Sequence, residues 1–323
     1  MHFVFIINSL SNQKQVDDLE RTVHSLDLKE RDKVHFCKTQ YSGHAPKIAL
    51  EYATRYRSDA LIIACGGDGT VHEIANALVF GETPMAVMPF GSGNDFARTV
   101  LPKEMYDKPQ MLLEHLSHFE TRPIDLIRVD CYDNASVHIP EISMHCVNIM
   151  SFGLDTMIND IAKQIISKTK KKGFIYKNAY NIAILKSFIK GWDYNMRYSF
   201  ETEAGEDNIE GEIKYSLAGV CNGRYYGKGF NPSPESLVDD GVLEICLVDH
   251  VSRTKALPMV KLYKKGLHLD HPKVHMYRVT SGVISPVNSS QMIHGNYDGE
   301  HFHAHHVRFE VIPSALPFAF FSI

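Results

Sequence analysis

The segment Cys65-Gly66-Gly67-Asp68-Gly69-Thr70-Val71-His72-Glu73-Ile74 decides the fold, because its glycine-rich turn separates an apolar run from an amphipathic pattern. The preceding stretch, 59–64, is an apolar and partly β-branched run after Asp59, which is typical of a strand buried on both faces in a parallel sheet. The apolar residues that follow are spaced for one helix face: Val71, Ile74, Ala75 and Leu78. The segment therefore predicts a strand, a turn and a helix.

Thr70 and Glu73 have the spacing of a capping box, so we expect the helix to begin at Thr70. The three glycines lack the Cβ atoms that would keep an anion from the backbone, and a helix amino end attracts negative charge. Phosphate oxygens are therefore expected at this turn. Asp68 would repel them unless a divalent cation or a transferable proton lies between, so the pattern favours metal-assisted phosphoryl chemistry over dinucleotide docking.

Residue spacing argues against other interpretations of this turn. Asp68-Gly69 is a common hairpin dipeptide, but a helical pattern follows it. The chain has no GxxxxGK(S/T) pattern at this turn, and His72 occupies the position of the third glycine of GxGxxG. Asn76 stands where a zinc protease helix needs its second histidine.

Strands and helices alternate over the first 120 residues. Strands are expected at 2–7, 34–37, 60–64 and 85–88, and helices include 45–55 and 104–119. This order predicts a parallel α/β sheet in which loops at the carboxyl ends of the strands bind ligands. The loops at Asn8, at Thr39 and at 66–70 should converge there, joined by Pro89-Phe90-Gly91-Ser92-Gly93-Asn94-Asp95-Phe96-Ala97-Arg98.

The pattern changes near Arg122-Pro123 to an alternation of apolar and polar residues. Such runs recur at 124–149, 194–200, 209–220, 242–248 and 274–284, which favours a mostly antiparallel β-sandwich or barrel. We therefore expect an α/β domain at 1–122 and a β-rich domain at 123–306. The apolar tail, 307–323, is expected to pack back on the first domain.

Residues 161–192 contain eight lysines and no acidic residue, interleaved with apolar and aromatic side chains. This pattern predicts a basic amphipathic helical insertion. Two interpretations stay open: a solvated cationic face over an ordinary core, or docking on an anionic membrane surface.

Two acidic turns in the second half also have two interpretations. Asp239-Asp240-Gly241 and Asp298-Gly299-Glu300 are plain hairpins or, with backbone carbonyls, ligands of a hard cation. His301, His303 and His305 follow at a spacing of two and should share one face of a strand. Zinc is not favoured there, since no carboxylate or thiol is placed in sequence to complete the ligand shell.

The composition excludes several classes of protein. The 323 residues have a net charge of -4, which gives no electrostatic footprint for nucleic acid. The six scattered cysteines form no CxxC pair, so we expect free thiols and a reducing compartment. No apolar run approaches the roughly 20 residues of a membrane span, and the run at 3–7 is too short for a signal peptide. We therefore expect a cytoplasmic protein.

The ordered motifs together resemble the bacterial diacylglycerol kinase family of soluble lipid kinases, which is related to sphingosine and ceramide kinases. The resemblance covers nearly the whole chain. It rests on GGDGT at 66–70 with Glu73 and Asn76, PFGSGNDFAR at 89–98, Ile124-Asp125-Leu126, Asn148 before Phe152-Gly153-Leu154-Asp155, the turn at 222–229, LVDDGVLE at 237–244, and DGE at 298–300.

The resemblance implies an NAD-kinase-like first domain that binds ATP, and it assigns site residues. The nucleotide would be lined by Asn8, Thr39, Gly66, Gly67, Asp68, Gly69, Thr70, Glu73, Gly91, Ser92 and Asn94. Asp68, Asp95 and Asp125 would form the carboxylate network around the catalytic magnesium. A second, structural Mg²⁺ would be held by Leu237, Asp240 and Val242. Glu300 would be the general base that takes the proton from the lipid hydroxyl.

We therefore expect an ATP- and Mg²⁺-dependent lipid kinase, most simply one that converts diacylglycerol to phosphatidic acid. It would act at an anionic membrane surface as a peripheral protein, with the 161–192 insertion in contact and a homodimer as one possible assembly. Two alternatives stay open. One is a soluble-substrate kinase of the NAD kinase or phosphofructokinase type, and the other is a lipid-binding relative without catalysis.

Overall fold

The computed structural model describes residues 1–26, 33–116, 118–169, 173–203 and 208–322, with the side chains of 176 and 177 left out. The chain divides into two compact units. Unit 1 comprises 1–126, 238–241 and 312–323, and unit 2 comprises 127–237 and 242–311.

Unit 1 is built on a parallel sheet flanked by helices. Its strands are β1 (His2–Ile7), β2 (Lys33–Lys38), β3 (Ala60–Gly66) and β4 (Met85–Pro89), and they pair in the order β4-β3-β1-β2. Its helices are α1 (Gln13–His24), α2 (Ala45–Tyr56), α3 (Asp68–Leu78), α4 (Asp95–Val100), α5 (Lys103–Asp107) and α6 (Gln110–Glu114). Every residue of β3 is buried, as the apolar run predicted.

Two expectations for unit 1 are wrong in detail. The helix α3 begins at Asp68 with Gly67 as its N-cap, and Thr70 forms no capping box because its hydroxyl accepts a hydrogen bond from Asn8 Nδ2 at 2.9 Å. The helix expected at 104–119 is two short helices, α5 and α6. Pro109 separates them, because it cannot donate a helical hydrogen bond and disfavours helical geometry in Lys108.

Unit 2 is mostly antiparallel. Two long strands, β5 (Phe119–Tyr132) and β14 (His306–Phe321), are shared between the units, because unit 2 begins at Ile127 and ends at Val311. The strands wholly within unit 2 are β6 (Met144–Cys146), β7 (Ile149–Gly153), β8 (Tyr194–Thr202), β9 (Ile209–Cys221), β10 (Leu243–Asp249), β11 (Val274–Pro286), β12 (Ile293–Tyr297) and β13 (Glu300–Ala304). Its helices are α7 (Leu154–Lys168), α8 (Phe174–Lys177), α9 (Ala179–Lys190) and α10 (Arg253–Lys264). Apolar side chains from alternate strand positions form its core, including Phe152, Phe200 and Phe309.

The insertion is helical, as predicted, and starts earlier than expected. It consists of α7, α8 and α9, and α7 begins at Leu154, directly after β7. Three of its lysines, 170–172, lie outside the described residues. Among the described helices, none combines the length and the hydropathy that crossing a membrane requires.

The structure confirms a parallel α/β domain and a mostly antiparallel β-rich domain with a helical insertion. The unit boundaries differ from the expected ones. The first unit extends to Leu126 because β5 is continuous through Pro123, and the tail joins it from Ile312 instead of 307. All six cysteines are free thiols, as expected.

Candidate functional site

Three loops of unit 1 meet at the carboxyl ends of β1, β2 and β3, as the alternation predicted. The Asn8 side chain donates to Thr70, and the Ser9 N–H donates to Thr39 Oγ1 at 3.0 Å. The Asn8 N–H donates to the Cys65 carbonyl at 3.0 Å. These bonds use the polar groups of Asn8, Thr39 and Thr70 to tie the loops to one another.

Two of the three glycines of the turn, Gly66 and Gly67, lie against other protein atoms. A Cβ atom on Gly66 would collide with the Thr70 hydroxyl, and one on Gly91 would collide with the Gly67 Cα. The space beside these three glycines is therefore filled by the protein itself. At Gly69 a Cβ would meet nothing within 4 Å, so this is the glycine whose backbone is open to a ligand.

The loop after β4 is closed by Asn94. Its Oδ1 accepts from the Gly91 N–H at 2.8 Å, and its Nδ2 donates to the Gly91 carbonyl at 2.9 Å. Asn94 has a left-handed backbone, with φ of 56°, which asparagine tolerates better than most residues. Asn94 therefore stabilises its own loop. Ser92 is exposed at the tip of this loop, and Glu73 is half-buried on α3.

Asp68 and Asp95 lie close together at the first turns of α3 and α4. A Cβ on Gly93 would be 2.9 Å from Asp68 Oδ2 and 3.4 Å from Asp95 Oδ2. The other oxygen of Asp68 accepts from the Phe96 N–H at 3.1 Å, and Asp95 is buried. Two carboxylates this near each other repel, and hard divalent cations such as Mg²⁺ prefer such oxygen ligands. The donor set fits a magnesium ion.

Arg98 and Tyr106 lie behind this acidic pair, and Tyr106 was not identified from the sequence. The Arg98 Nη2 donates to the Tyr106 hydroxyl at 2.6 Å, and its guanidinium lies 4.5 Å from the ring centroid. The Tyr106 hydroxyl reaches the Gly93 carbonyl at 3.5 Å. Burial raises the pKa of Tyr106, so it remains a neutral donor. No motif marks Tyr106, because the pairing depends on how α4 and α5 pack.

Asp125 has both carboxylate oxygens engaged by backbone N–H groups. They accept from Gly241 at 2.7 Å and from Ser314 at 2.8 Å. Burial raises the pKa of Asp125, and the neighbouring Asp240 and Asp239 raise it further against those two hydrogen bonds. Asp125 thus anchors the segment 238–241 within unit 1, and its expected membership of the magnesium network stays a prediction.

The second predicted metal site lies in the turn at 237–242, where the contacts involve Asp239 and Val238. The Asp239 carboxylate accepts from Arg122 Nη1 at 2.8 Å, and Asp240 is half-buried. The Val238 carbonyl accepts from the Asp125 N–H at 2.6 Å. The assignment of Leu237, Asp240 and Val242 to a structural Mg²⁺ stays a prediction.

Glu300 is the first residue of β13 in unit 2 and is exposed. It follows a tight hairpin turn in which Asp298 and Gly299 have φ of 50° and 92°, as in a type I′ turn. The Asp298 carboxylate accepts from the N–H groups of Val147 at 2.7 Å and Asn148 at 3.0 Å. These bonds hold the turn in place and so define the position of Glu300 within unit 2.

Unit 2 also contains an apolar cavity that the sequence did not predict. It is partly open to solvent and lies among α7, α9, α10 and the sheet. Asp155 is the one carboxyl group among the described lining residues, and burial raises its pKa to about 6. Apolar lining residues include Ile184, Trp192 and Met259. A chain of methylene groups suits such a lining.

Comparisons with known proteins agree with this architecture. Residues 2–129 match the family model described as the diacylglycerol kinase catalytic domain. Residues 148–320, more than half of the chain, match the YegS C-terminal NAD kinase beta sandwich-like domain. A Xanthomonas axonopodis pv. citri protein named "Probable lipid kinase YegS-like" is 28% identical over an alignment of 280 residues, which covers 82% of this chain and 82% of that protein. A diacylglycerol kinase of Staphylococcus saprophyticus is 24% identical over 248 residues, 75% of this chain and 70% of that protein.

Solved structures show the same fold. A diacylglycerol kinase from Bacillus anthracis str. Sterne has a TM-score of 0.63 at 16% identity, covering 99% of this chain and 97% of that one. A second structure from that organism, a candidate diacylglycerol kinase, has a TM-score of 0.68 at 20% identity with the same coverage. With both family models matched in order along the sequence, the chain belongs to the diacylglycerol kinase-like family of lipid kinases, phosphotransferases that use an alcohol group as acceptor.

Proposed function

We propose that this enzyme transfers the γ-phosphoryl group of ATP to the free hydroxyl of diacylglycerol, giving phosphatidic acid, and that Mg²⁺ is required. The observation that carries the proposal is the Asp68 and Asp95 pair beside the amino end of α3. Phosphate oxygens are attracted by this helix end and repelled by these carboxylates, so a cation between them reconciles the two. The name of the Staphylococcus saprophyticus relative supports diacylglycerol as the acceptor.

The contacts within unit 1 refine which residues would hold the nucleotide. Gly69 has open space beside its Cα, and Ser92 is exposed at the tip of its loop. We assign direct phosphate contact to the Gly69 backbone and the Ser92 hydroxyl. Gly67 and Gly91 would act by letting the two loops approach. Bound Mg²⁺ would neutralise charge on the phosphates, and Asp68 and Asp95 would hold it.

Glu300 is proposed as the general base. Its carboxylate would accept the proton of the lipid hydroxyl as that oxygen forms a bond to the γ-phosphorus, while the bond from the phosphorus to the ADP oxygen breaks. The hairpin supports this role, because the anchored Asp298-Gly299 turn leaves little freedom to the backbone of Glu300.

The apolar cavity of unit 2 supports a lipid as the acceptor molecule. We propose that it receives part of an acyl chain, since its lining offers almost only apolar and aromatic groups. Each buried CH₂ would contribute about 0.8 kcal/mol to binding. A nucleotide or sugar phosphate would gain nothing from such a lining.

The helical insertion supports contact with an anionic membrane. On α9, Leu185 and Ile189 are 65% and 71% exposed, although both are large and apolar. Lys186 and Lys190 are exposed beside them. Apolar side chains that enter a bilayer and lysines that bind anionic headgroups would act together, with roughly 1 kcal/mol per lysine.

The decisive assay combines the purified chain with labelled ATP, Mg²⁺ and a total lipid extract, and separates the labelled lipids. We expect one labelled product that comigrates with phosphatidic acid, and no product when EDTA removes Mg²⁺. Purified NAD, a sugar phosphate and diacylglycerol, offered singly, test the soluble alternatives. Phosphorylation of NAD or the sugar phosphate, with none of diacylglycerol, would contradict the proposal.

Substitution of Glu300 tests the base. Glu300→Gln should lower turnover by about 100-fold or more and leave ATP binding nearly unchanged, because only proton transfer is lost. Glu141→Gln, which changes another exposed carboxylate of unit 2, is the matched control and should behave as wild type. Equal loss of ATP binding and turnover in Glu300→Gln would argue against this assignment.

Vesicle sedimentation tests the membrane contact. The double variant Lys186→Gln, Lys190→Gln should bind vesicles containing anionic lipid about tenfold or more weakly than wild type. Lys103→Gln, Lys108→Gln removes the same charge from exposed positions of unit 1 and should bind as wild type. Binding that ignores the anionic lipid content would contradict the proposed contact.

A further inference from the structure

Asp160, His294 and His301 form a cluster of metal-ligating side chains in unit 2. The Asp160 Oδ2 lies 3.4 Å from His294 Nε2, and its Oδ1 lies 2.9 Å from His301 Nδ1. One ligand atom from each residue falls within 4.8 Å of the other two. All three side chains are partly buried, with 16% of His301 and 35% of Asp160 exposed.

The fold assembles this cluster from three separate elements. In the β12–β13 hairpin His294 pairs with His303, so His301, two residues away from His303, lies on the same face as His294. The two imidazole centroids are 5.7 Å apart. Asp160 comes from α7, which packs on this face. The histidines singled out at a spacing of two are therefore split: His301 joins the cluster, and its partners come from elsewhere in the chain.

We propose that Asp160, His294 and His301 bind a divalent first-row transition metal, with Zn²⁺ as the best fit, and that the ion joins α7 to the β12–β13 hairpin. Two imidazole nitrogens and one carboxylate oxygen are a common donor set for Zn²⁺, whereas Mg²⁺ and Ca²⁺ prefer oxygen alone. With metal–ligand bonds of about 2.0–2.1 Å, ligands in a tetrahedral shell are about 3.3 Å apart. The two carboxylate–imidazole separations, 3.4 Å from Asp160 Oδ2 and 2.9 Å from Asp160 Oδ1, lie on either side of that value.

The surroundings of the cluster also fit an ion. The ring of His303 stacks on His294 with centroids 4.1 Å apart, which limits how the His294 ring can turn. Lys163, one turn along α7, carries a positive charge that would repel the ion. Its Nζ donates to the Gly299 carbonyl at 2.6 Å. An imidazole is mostly neutral near pH 7 and can offer its lone pair. The ligand positions are thus organised in advance, on a helix and two paired strands.

This metal site is independent of the proposed kinase function. The metal site would nevertheless affect the structure around the proposed general base, because Glu300 directly precedes His301 on β13. An ion held by His301 would restrict the hairpin that presents the proposed base. Zinc binding and phosphoryl transfer can be measured separately, so failure of one proposal leaves the other testable.

Calorimetric titration of the EDTA-treated full chain with Zn²⁺ tests the site. Wild type should bind one equivalent tightly, and His301→Ala, His294→Ala and Asp160→Asn should each lose about 100-fold or more in affinity. His275→Ala is the matched control, because His275 also contacts a carboxylate, that of Asp249 at 3.1 Å, outside the cluster. It should bind Zn²⁺ as wild type does.

A second measurement identifies the ligands directly. Co²⁺ in place of Zn²⁺ should give a visible absorption band typical of four or five ligands in wild type and His275→Ala, and lose it in His301→Ala. Circular dichroism checks that each variant folds, and Asp160→Asn preserves side-chain shape if an alanine variant does not. Equal Zn²⁺ affinity in wild type and Asp160→Asn, or equal loss in His275→Ala, would overturn the proposal.

Discussion

Two of the three Asp-Gly dipeptides of the chain, at 68–69 and at 298–299, have opposite structural results. At 68–69 it forms the first turn of α3, and the Asp68 carboxylate lies beside Asp95. At 298–299 it forms a left-handed hairpin turn, and the Asp298 carboxylate accepts two backbone N–H groups. The flanking residues decide the outcome, because a helical pattern follows the first pair and a strand pattern follows the second.

The contrast separates two uses of a carboxylate. Asp298 satisfies N–H groups of a distant segment, so its contribution is to stability. One Asp68 oxygen accepts from the Phe96 N–H, and the other lies near Gly93, as does an oxygen of Asp95. Two neighbouring carboxylates repel each other, and a bound cation would lower that repulsion. Substitution of Asp298 should therefore lower the free energy of unfolding more than substitution of Asp68 does.

The largest effect on stability is expected where the two loops of unit 1 touch. Gly91→Ala would force a Cβ into the backbone of Gly67, which cannot move away as a flexible side chain could. We expect a loss of about 3 kcal/mol in the free energy of unfolding, measured by urea denaturation. Gly69→Ala is the matched change, and it should alter this free energy by less than about 1 kcal/mol, because the Cβ meets open space.

The two glycine variants also sharpen the nucleotide assignment. Gly69→Ala should fold normally and bind ATP more weakly, since its Cβ would occupy the space assigned to phosphate. Unchanged ATP affinity in this variant would contradict that assignment. A Gly91→Ala protein as stable as wild type would show that the loops do not need their close approach.

The next effect tests the two aspartates directly. Asp298→Ala would leave the buried N–H groups of Val147 and Asn148 without their acceptor, at a cost of about 2–3 kcal/mol in unfolding free energy. Asp298→Asn keeps one acceptor oxygen and should cost about half as much. Asp68→Asn should lose less than about 1 kcal/mol of stability, yet reduce turnover by about 100-fold.

The reverse pattern would remove the distinction between the two turns. If Asp68→Asn unfolds the protein, or if Asp298→Ala leaves the unfolding free energy unchanged while abolishing turnover, the roles given to the two carboxylates are wrong. Thermal unfolding and single-turnover kinetics on the same preparations decide this.

The smallest effect concerns Asp155, a third carboxyl, which faces an apolar cavity. Burial raises its pKa to about 6, above the value of about 4 in an unfolded chain. The folded state therefore binds the proton more tightly than the unfolded state. It follows that the contribution of Asp155 to stability falls as the pH rises from about 4 to 6.

Asp155→Asn removes this dependence without changing the shape of the side chain. Relative to wild type, it should gain about 2 kcal/mol of unfolding free energy between pH 4 and pH 7, as measured by urea denaturation at a series of pH values. Parallel curves for the two proteins would show that Asp155 does not titrate abnormally.

The motifs predicted unit 1 well because its ligand-binding elements are local in sequence. A strand, a turn and a helix occupy consecutive residues, and three such loops meet wherever parallel strands share an edge. The convergence of Asn8, Thr39 and Thr70 followed from that rule. The prediction of a capping box at Thr70 was wrong, because the Thr70 hydroxyl instead accepts a hydrogen bond from Asn8, which is distant in sequence.

The amino-acid sequence by itself determined the fold class, the alternation of strands and helices in the first 120 residues, and the residues that identify the lipid kinase family, since these depend on periodicity and short motifs. Only the tertiary structure decided which polar groups face each other. Asp155 lines an apolar cavity, and Asp160 lies beside His294 and His301, which are more than a hundred residues away in sequence. Such contacts depend on register and helix packing, which set distances that no short stretch of sequence encodes.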